Sequence, residues 1–295
     1  MNKSIIRMVI GSLVLAAAVT AQAREVDESI DAASDGQVEI INISGSVEVF
    51  GWSRDRVEVK GDLGEKVEEL ILERNGDKVL VKVKVPRNNS NNISSELVIR
   101  LPEDSSIDVS TVSADITVED VKGEQMLHTV SGDVVTQSFG SDVSAQSVSG
   151  DVEVAGNGDD AETQANTVSG DVSVTNASGS VAAEVVSGDI LVSGGSFERV
   201  SLNSVNGELD FRAGLRDAGR LTAESVNGDV DIQFEGRVSA RFNIETFNGD
   251  IDNCFGPKAE RTSKYAPGWE LSFTEGDGDG RVTISTLNGD IDLCK

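Results

Sequence analysis

The sequence predicts an all-β protein: a parallel β-solenoid, or β-helix, with coils of about 20 residues and an N-terminal β-hairpin that caps the stack or projects from it. Three observations predict it. A five-residue phrase centred on Gly-Asp or Gly-Glu occurs eight times at a nearly constant interval. Apolar residues alternate with polar ones on both sides of the phrase. The composition is rich in Val, Ile and Ala and holds 30 Gly, but only 4 % aromatic residues and 4 Pro, which suits a thin β-rich core.

In chain order, residues 1–23 have the parts of a secretory signal peptide. Lys3 and Arg7 form the basic start, Met8 to Val19 the apolar run, and Ala21-Gln22-Ala23 a small-x-small cleavage site. The run is shorter than the roughly 20 residues that span a bilayer, so cleavage is expected rather than anchoring. No later segment reads as a membrane span. The expected localisation is the periplasm, or the medium or cell surface beyond it. Loss of Lys3 and Arg7 takes the formal net charge from −26 to −28.

Residues 24–106 read as an N-terminal β region. Val38, Ile40, Asn42, Ile43, Ser44, Gly45, Val47 and Val49 fit the repeat template as a first coil. Val67 to Leu72 and Val79 to Val85 flank Asn75-Gly76, a strong hairpin signal. The hairpin would shield an open strand edge at that end. Asn88 to Asn92 reads as a loop.

Residues 107–295 carry the repeat. Val-Ser-Gly-Asp-Val or Ile stands around Gly132, Gly150, Gly170 and Gly188, and Asn replaces Ser around Gly207, Gly228, Gly249 and Gly289. Successive glycines are 18, 20, 18, 19, 21, 21 and then 40 residues apart. Upstream, Ile107 to Val118 fills the same columns with Ala114 at the glycine position. Seven and five places before the glycine the residues are mostly apolar (Val143 and Ala145, Val181 and Ala183, Val200 and Leu202). Two and four places after it they are apolar again (Val152 and Val154, Val172 and Val174, Leu209 and Phe211). A spacing of two on each side means two strands per repeat, each with one face inward. The column two before the glycine is apolar as well, so the inward parity is expected to slip at the corner. Gly supplies the positive φ such a corner needs, and Ser, Asn and Asp bond nearby backbone groups. A unit this short cannot fold alone; stacking pairs each strand with its copies and buries a continuous narrow core. Gly256 to Gly268, with two Pro and the only Tyr, reads as an inserted loop.

These repeats, from Val130 to Ile291, together with Gly51-Trp52 ahead of Val57, resemble the bacterial putative-adhesin family of exported β-strand-repeat proteins of unknown function. The resemblance spans nearly all of the chain after residue 23. It implies a β-helix and export, and it carries no catalytic residues to transfer.

Composition narrows the chemistry. With 25 basic against 51 acidic residues, nucleic acid is not an expected partner, because phosphate binding needs clustered Lys and Arg. A single His, His128, stands on an outward column. No Ser has a His and an acid beside it in the pattern, and a strand-to-helix Gly-x-Ser-x-Gly is absent. No catalytic residue and no cofactor is expected. Asp133, Asp151, Asp171, Asp189, Asp229 and Asp250 should form a row beside the glycine corner. Unit charges one strand apart repel by roughly 1 kcal/mol in water, so the row must be solvated, hydrogen-bonded to turn amides, or neutralised by cations. Weak, oxygen-based calcium binding is the metal candidate. Glu275 to Gly280 and Gly156 to Asp160 have calcium-loop composition without the EF-hand or nonapeptide spacing, and read as flexible turns. Trp52 and Trp269 fit capping better than sugar stacking.

Cys254 and Cys294 each follow a repeat glycine by five and so share one outward column. In an exported protein such a pair is expected to bridge. Matched α-carbons on adjacent parallel strands lie about 4.8 Å apart, within disulfide reach, provided 255–286 forms one enlarged coil and not two. The bridge would staple the last coil. The function expected is an exported non-enzymatic module, adhesin-like or structural, meeting an envelope protein or a glycan, with cations as a possible bridge. The alternative is a polysaccharide-acting β-helix enzyme, a lyase or hydrolase, which needs a cleft where the repeat breaks; only Gly256 to Gly268 offers one.

Overall fold

A computed structural model describes residues 24–87, 91–263 and 267–295. The expected signal peptide and residues 88–90 of the expected loop lie outside the described residues. Those described form 25 strands, and among them there is no helix. Their ladders join into one continuous sheet system.

The middle of the chain is a parallel stack in register. Val134 pairs with Val152, Val152 with Val172, Val172 with Ile190, Ile190 with Leu209, and Leu209 with Val230. The preceding strand of each repeat does the same, through Ala145, Ala165, Ala183, Leu202 and Ala223. Identical columns are therefore physical neighbours, and all of these side chains are buried. In the C-terminal part aromatic rings enter the core. Phe197, Phe211, Phe234 and Phe242 follow one another with centroids 6.0 to 6.1 Å apart, and Phe242 stacks on Phe273 at 4.5 Å.

Both ends are interlocked. The strands Gln37–Ile41 and Ser44–Trp52 lie second in the stack, not first. They sit between Lys78–Lys84 with Ser95–Pro102 on one side and Ser106–Ser110 with Ser113–Glu119 on the other, all parallel. The Asn75-Gly76 hairpin forms, and it caps: Glu69–Asn75 runs antiparallel along Lys78–Lys84. Arg56–Leu63 covers Ser95–Pro102 in the same sense, and Arg24–Asp31 covers Arg56–Leu63.

The C-terminal end mirrors this. Gly280–Asn288 is inserted between the strand that ends at Asn227 and Ala240–Asn248, parallel to both. Ile291–Cys294 likewise lies between Val230–Phe234 and Ile251–Asn253. Trp269–Glu275 then runs antiparallel on the outer side of Ala240–Asn248. Glu260–Arg261 and Trp269–Glu275 thus supply an antiparallel cover, which leaves the two cysteines on adjacent rungs; residues 264–266 of the expected inserted loop lie outside the described residues. Cys254 and Cys294 are bridged, with Cα atoms 4.9 Å apart. A second expectation is corrected here. The final strand is internal and paired on both sides, so the bridge ties it to an outer rung, which is that of Cys254.

Candidate functional site

Side-chain ladders run along parts of the glycine corner, because the stack puts like residues one rung apart; the hydroxyl ladder is interrupted at Val185 and at Ser204 and Ser225, whose hydroxyls find no partner among the described residues. Three places before the glycine, a buried hydroxyl donates to the corner carbonyl of the neighbouring rung: Ser147 to Gly132 at 3.0 Å, Thr167 to Gly150 at 2.9 Å, Thr286 to Gly228 at 3.1 Å and Thr246 to Gly289 at 2.9 Å. One place before it, in the C-terminal part, amides chain together. Asn227 Nδ2 donates to Asn206 Oδ1 at 3.0 Å, Asn288 to Asn227 and Asn248 to Asn288, both at 2.8 Å.

One place after the glycine stands the acidic row, and the structure does align its members. The Asp133 amide donates to Asp115 Oδ1 at 3.0 Å, Asp151 to Asp133 at 2.9 Å, and Asp171 to Asp151 and Asp189 to Asp171 at 2.8 Å. Beyond the insertion, Asp290 donates to Asp229 and Asp250 to Asp290, both at 2.8 Å. One oxygen of each accepting carboxylate is thus engaged by a backbone amide. Among the described residues no group of three or more His, Cys, Asp or Glu side chains is placed to hold a metal ion.

Two places further on, Asp210, Asp231, Asp292 and Asp252 form a second acidic column. Arg212 reaches two of them, Asp210 at 2.6 Å and Asp231 at 3.7 Å. Partial burial, with neighbouring carboxylates adding to it, holds Glu208 and Asp292 above the ordinary carboxylate range. Burial likewise raises Asp210 against the opposing pull of Arg212.

The other side of the corner is different. The apolar column two before the glycine does not turn inward. The slip in parity falls between the third place before the glycine and the second after it, so this column is left outside. Val112, Val130, Val148, Val168, Val186, Val205, Val226, Leu287 and Phe247 follow one another rung by rung, each 39 to 48 % exposed. At one strand spacing per rung the ridge is about 38 Å long. The interlocked C-terminal end keeps it unbroken, since Leu287 fills the place between Val226 and Phe247.

Beside the ridge runs a groove of about 400 Å³. Its floor is the column of Ser147, Thr167, Val185 and Ser204, one wall is Val148 to Val205, and the other wall is His128, Gln146, Asn166, Glu184 and Asn203. Gln146 and Asn166 are half-buried and make no side-chain hydrogen bond within the described residues. His128 stands exposed at one end.

The remaining candidates are occupied by the fold. Trp52 Nε1 donates to the Arg56 carbonyl at 2.9 Å and Arg54 lies over its ring at 4.9 Å. Arg261 covers the Trp269 ring at 4.5 Å. In the acidic turns, Asp159 bonds Asn157, Asp160 pairs with Arg216, and Glu275 pairs with Lys295 at 2.7 Å. A cleft of about 450 Å³ does open where the repeat breaks, between Asp250, Asp252, Lys258 and Trp269.

No curated protein sequence matches the chain. Among solved structures, one described as a putative cell adhesion protein of Clostridium sporogenes is 11 % identical, covering 92 % of this chain and 99 % of its own, with a TM-score of 0.25. A putative adhesin of Bacteroides fragilis is 11 % identical over 92 % of this chain and 98 % of its own, with a TM-score of 0.45. A putative lipid binding protein of Parabacteroides distasonis is 13 % identical over 92 % and 97 %, with a TM-score of 0.37. The profile of the Toastrack DUF4097 family runs from residue 37 to residue 294, across every parallel rung, and this chain belongs to that family.

Proposed function

We propose that the chain is an exported, adhesin-like interaction module of the cell envelope, wound as a parallel β-solenoid, that works by its surface and not by catalysis. The ridge carries this reading. Nine apolar side chains in one unbroken line exceed the scattered apolar exposure normal on a soluble protein and mark a contact face. The pairing intervals of 18 to 21 residues support the solenoid winding, and the hydroxyl, carboxylate and amide ladders support rigidity along it. The periplasm or the cell surface is where such a face would meet an envelope protein or glycan.

Retention of purified residues 24–295 on envelope fractions tests the reading. Retention that falls when Val148, Val168 and Val186 are changed to Ser supports it. Absence of retention at every salt and calcium concentration overturns it. The terminal cleft favours a second reading, a polysaccharide-acting enzyme using Asp250 and Asp252. Release of reducing ends from a polysaccharide panel, abolished by Asp252→Asn, would establish that reading instead.

A further inference from the structure

The groove beside the ridge has a chemistry of its own, and it differs from the rest of the molecule. In a chain of net charge −26, ten outward side chains line the two columns four and six places before the glycine, from the Gly132 rung to the Gly207 rung. They are Met126 and His128, Ser144 and Gln146, Gln164 and Asn166, Ala182 and Glu184, Ser201 and Asn203, and Glu184 is the one acid among them. The wall opposite is purely aliphatic. A partner for this face must satisfy amides that donate and accept at once, while laying an apolar flank on valines.

Three further facts limit that partner. The backbone N–H and C=O groups of the groove strands are taken up by the rungs above and below, so no β-strand can add to them, and recognition passes through side chains alone. Valine recurs along the groove from Val148 to Val205 and a carboxamide stands at Gln146, Asn166 and Asn203, on rungs about 4.8 Å apart, which matches a partner that itself repeats with a short period. A hydrocarbon chain would cover the valines but leave Gln146 and Asn166 desolvated without partners, which is costly. A polyanion would be repelled by the net charge, and a polycation would be drawn to the two acidic columns across the corner.

We propose that the groove from His128 to Val205 binds an uncharged, extended polysaccharide running along the stack. Hydroxyls of successive sugars exchange hydrogen bonds with Gln146, Asn166 and Asn203, and the C–H faces of the rings rest on Val148, Val168, Val186 and Val205. This assignment rests on the reading of the chain as a surface interaction module and names its ligand class.

Calorimetric titration of residues 24–295 with cellohexaose, maltohexaose and chitohexaose tests it, with polygalacturonate and polylysine as charged comparisons. The expected result is saturable binding of at least one neutral hexaose that is insensitive to salt. Binding should weaken about tenfold in the Gln146→Ala, Asn166→Ala double variant and be unchanged in Asp231→Asn, Asp292→Asn. Both pairs of sites are on outward columns, and a cooperative thermal unfolding transition with the parent far-ultraviolet circular dichroism spectrum establishes that the variants fold. Failure of every neutral hexaose to bind, or binding indifferent to the groove variant, overturns the assignment. If envelope retention persists in either case, the interaction reading stands and only the ligand class falls.

Discussion

Replacing Gly188 with Ala separates the two reasons a corner needs glycine. Its φ is +143°, a region that costs a residue with a side chain about 1–3 kcal/mol. A Cβ there would also stand 1.9 Å from the Gly170 carbonyl oxygen of the neighbouring rung. That oxygen belongs to backbone held in register, so relief requires the rungs to part by about 1 Å or more. The movement strains the Gly170 amide bond to the Ser187 carbonyl, 3.1 Å, and the Asp189 amide bond to Asp171, 2.8 Å, each contributing about 0.5–1.5 kcal/mol. The combined loss is about 2–6 kcal/mol, a large part of the roughly 5–15 kcal/mol that stabilises a folded domain. Gly236 has φ +90° and no atom within 4 Å of its would-be Cβ, so Gly236→Ala should show the conformational cost alone. Gly228 lies outside that φ region, yet its Cβ would meet the Gly207 carbonyl at 1.9 Å, so Gly228→Ala should show the stacking cost alone. Urea denaturation followed by far-ultraviolet circular dichroism reads all three. Equal midpoints for Gly188→Ala and Gly236→Ala would refute the claim that close stacking, and not φ alone, demands glycine.

Changing Cys254 and Cys294 to Ser should cost about 4 kcal/mol, from loop closure over a sequence separation of 40, and lower Tm; an unchanged Tm would show that the interlocked strands suffice by themselves. Glu208, Asp210 and Asp292 are held above their ordinary range, so the folded chain binds more protons than the unfolded one between ordinary and raised values, and stability rises as pH falls through that window. Tm should therefore be higher near pH 5 than near pH 7.5, with a smaller difference in Asp292→Asn; the opposite slope would contradict the burial assigned to these groups. Cysteines at Val226 and Leu287 should form a disulfide, being one rung apart, whereas cysteines at Val226 and Phe247, about 9.6 Å apart, should not; mass analysis of the reverse pattern would refute the insertion of the final strands.

The all-β fold and the parallel register of the repeats were legible because each corner imposes chemistry that only a few residue types satisfy, and Gly132 to Gly289 report it directly. The order of the end rungs was not, because the columns of Val226, Leu287 and Phe247 are chemically alike and pair about equally well in either order. The outward facing of the ridge was not legible for a related reason. An apolar column next to a change of parity belongs to either face until the backbone turn is fixed, and Ser147 and its counterparts fix it by bonding the neighbouring corner carbonyl. The aromatic core of Phe197, Phe211, Phe234 and Phe242 escaped notice because its rings come from different columns. The groove left a signal that could have been found, the near absence of charge at Ser144, Gln146, Gln164, Asn166, Ser201 and Asn203 in so acidic a chain.

The claim that one neutral face does the binding is tested most directly by methyl resonances. Residues 24–295 labelled at Ile, Leu and Val methyl groups would be titrated with soluble envelope glycan. The account predicts that Val148, Val168, Val186 and Val205 shift together, while buried Val152, Val172, Ile190 and Leu209 across the corner stay in place. Shifts confined to Leu191 beside the acidic columns, or to Ile251 and Leu271 at the C-terminal end, with the four ridge valines unmoved, would contradict it.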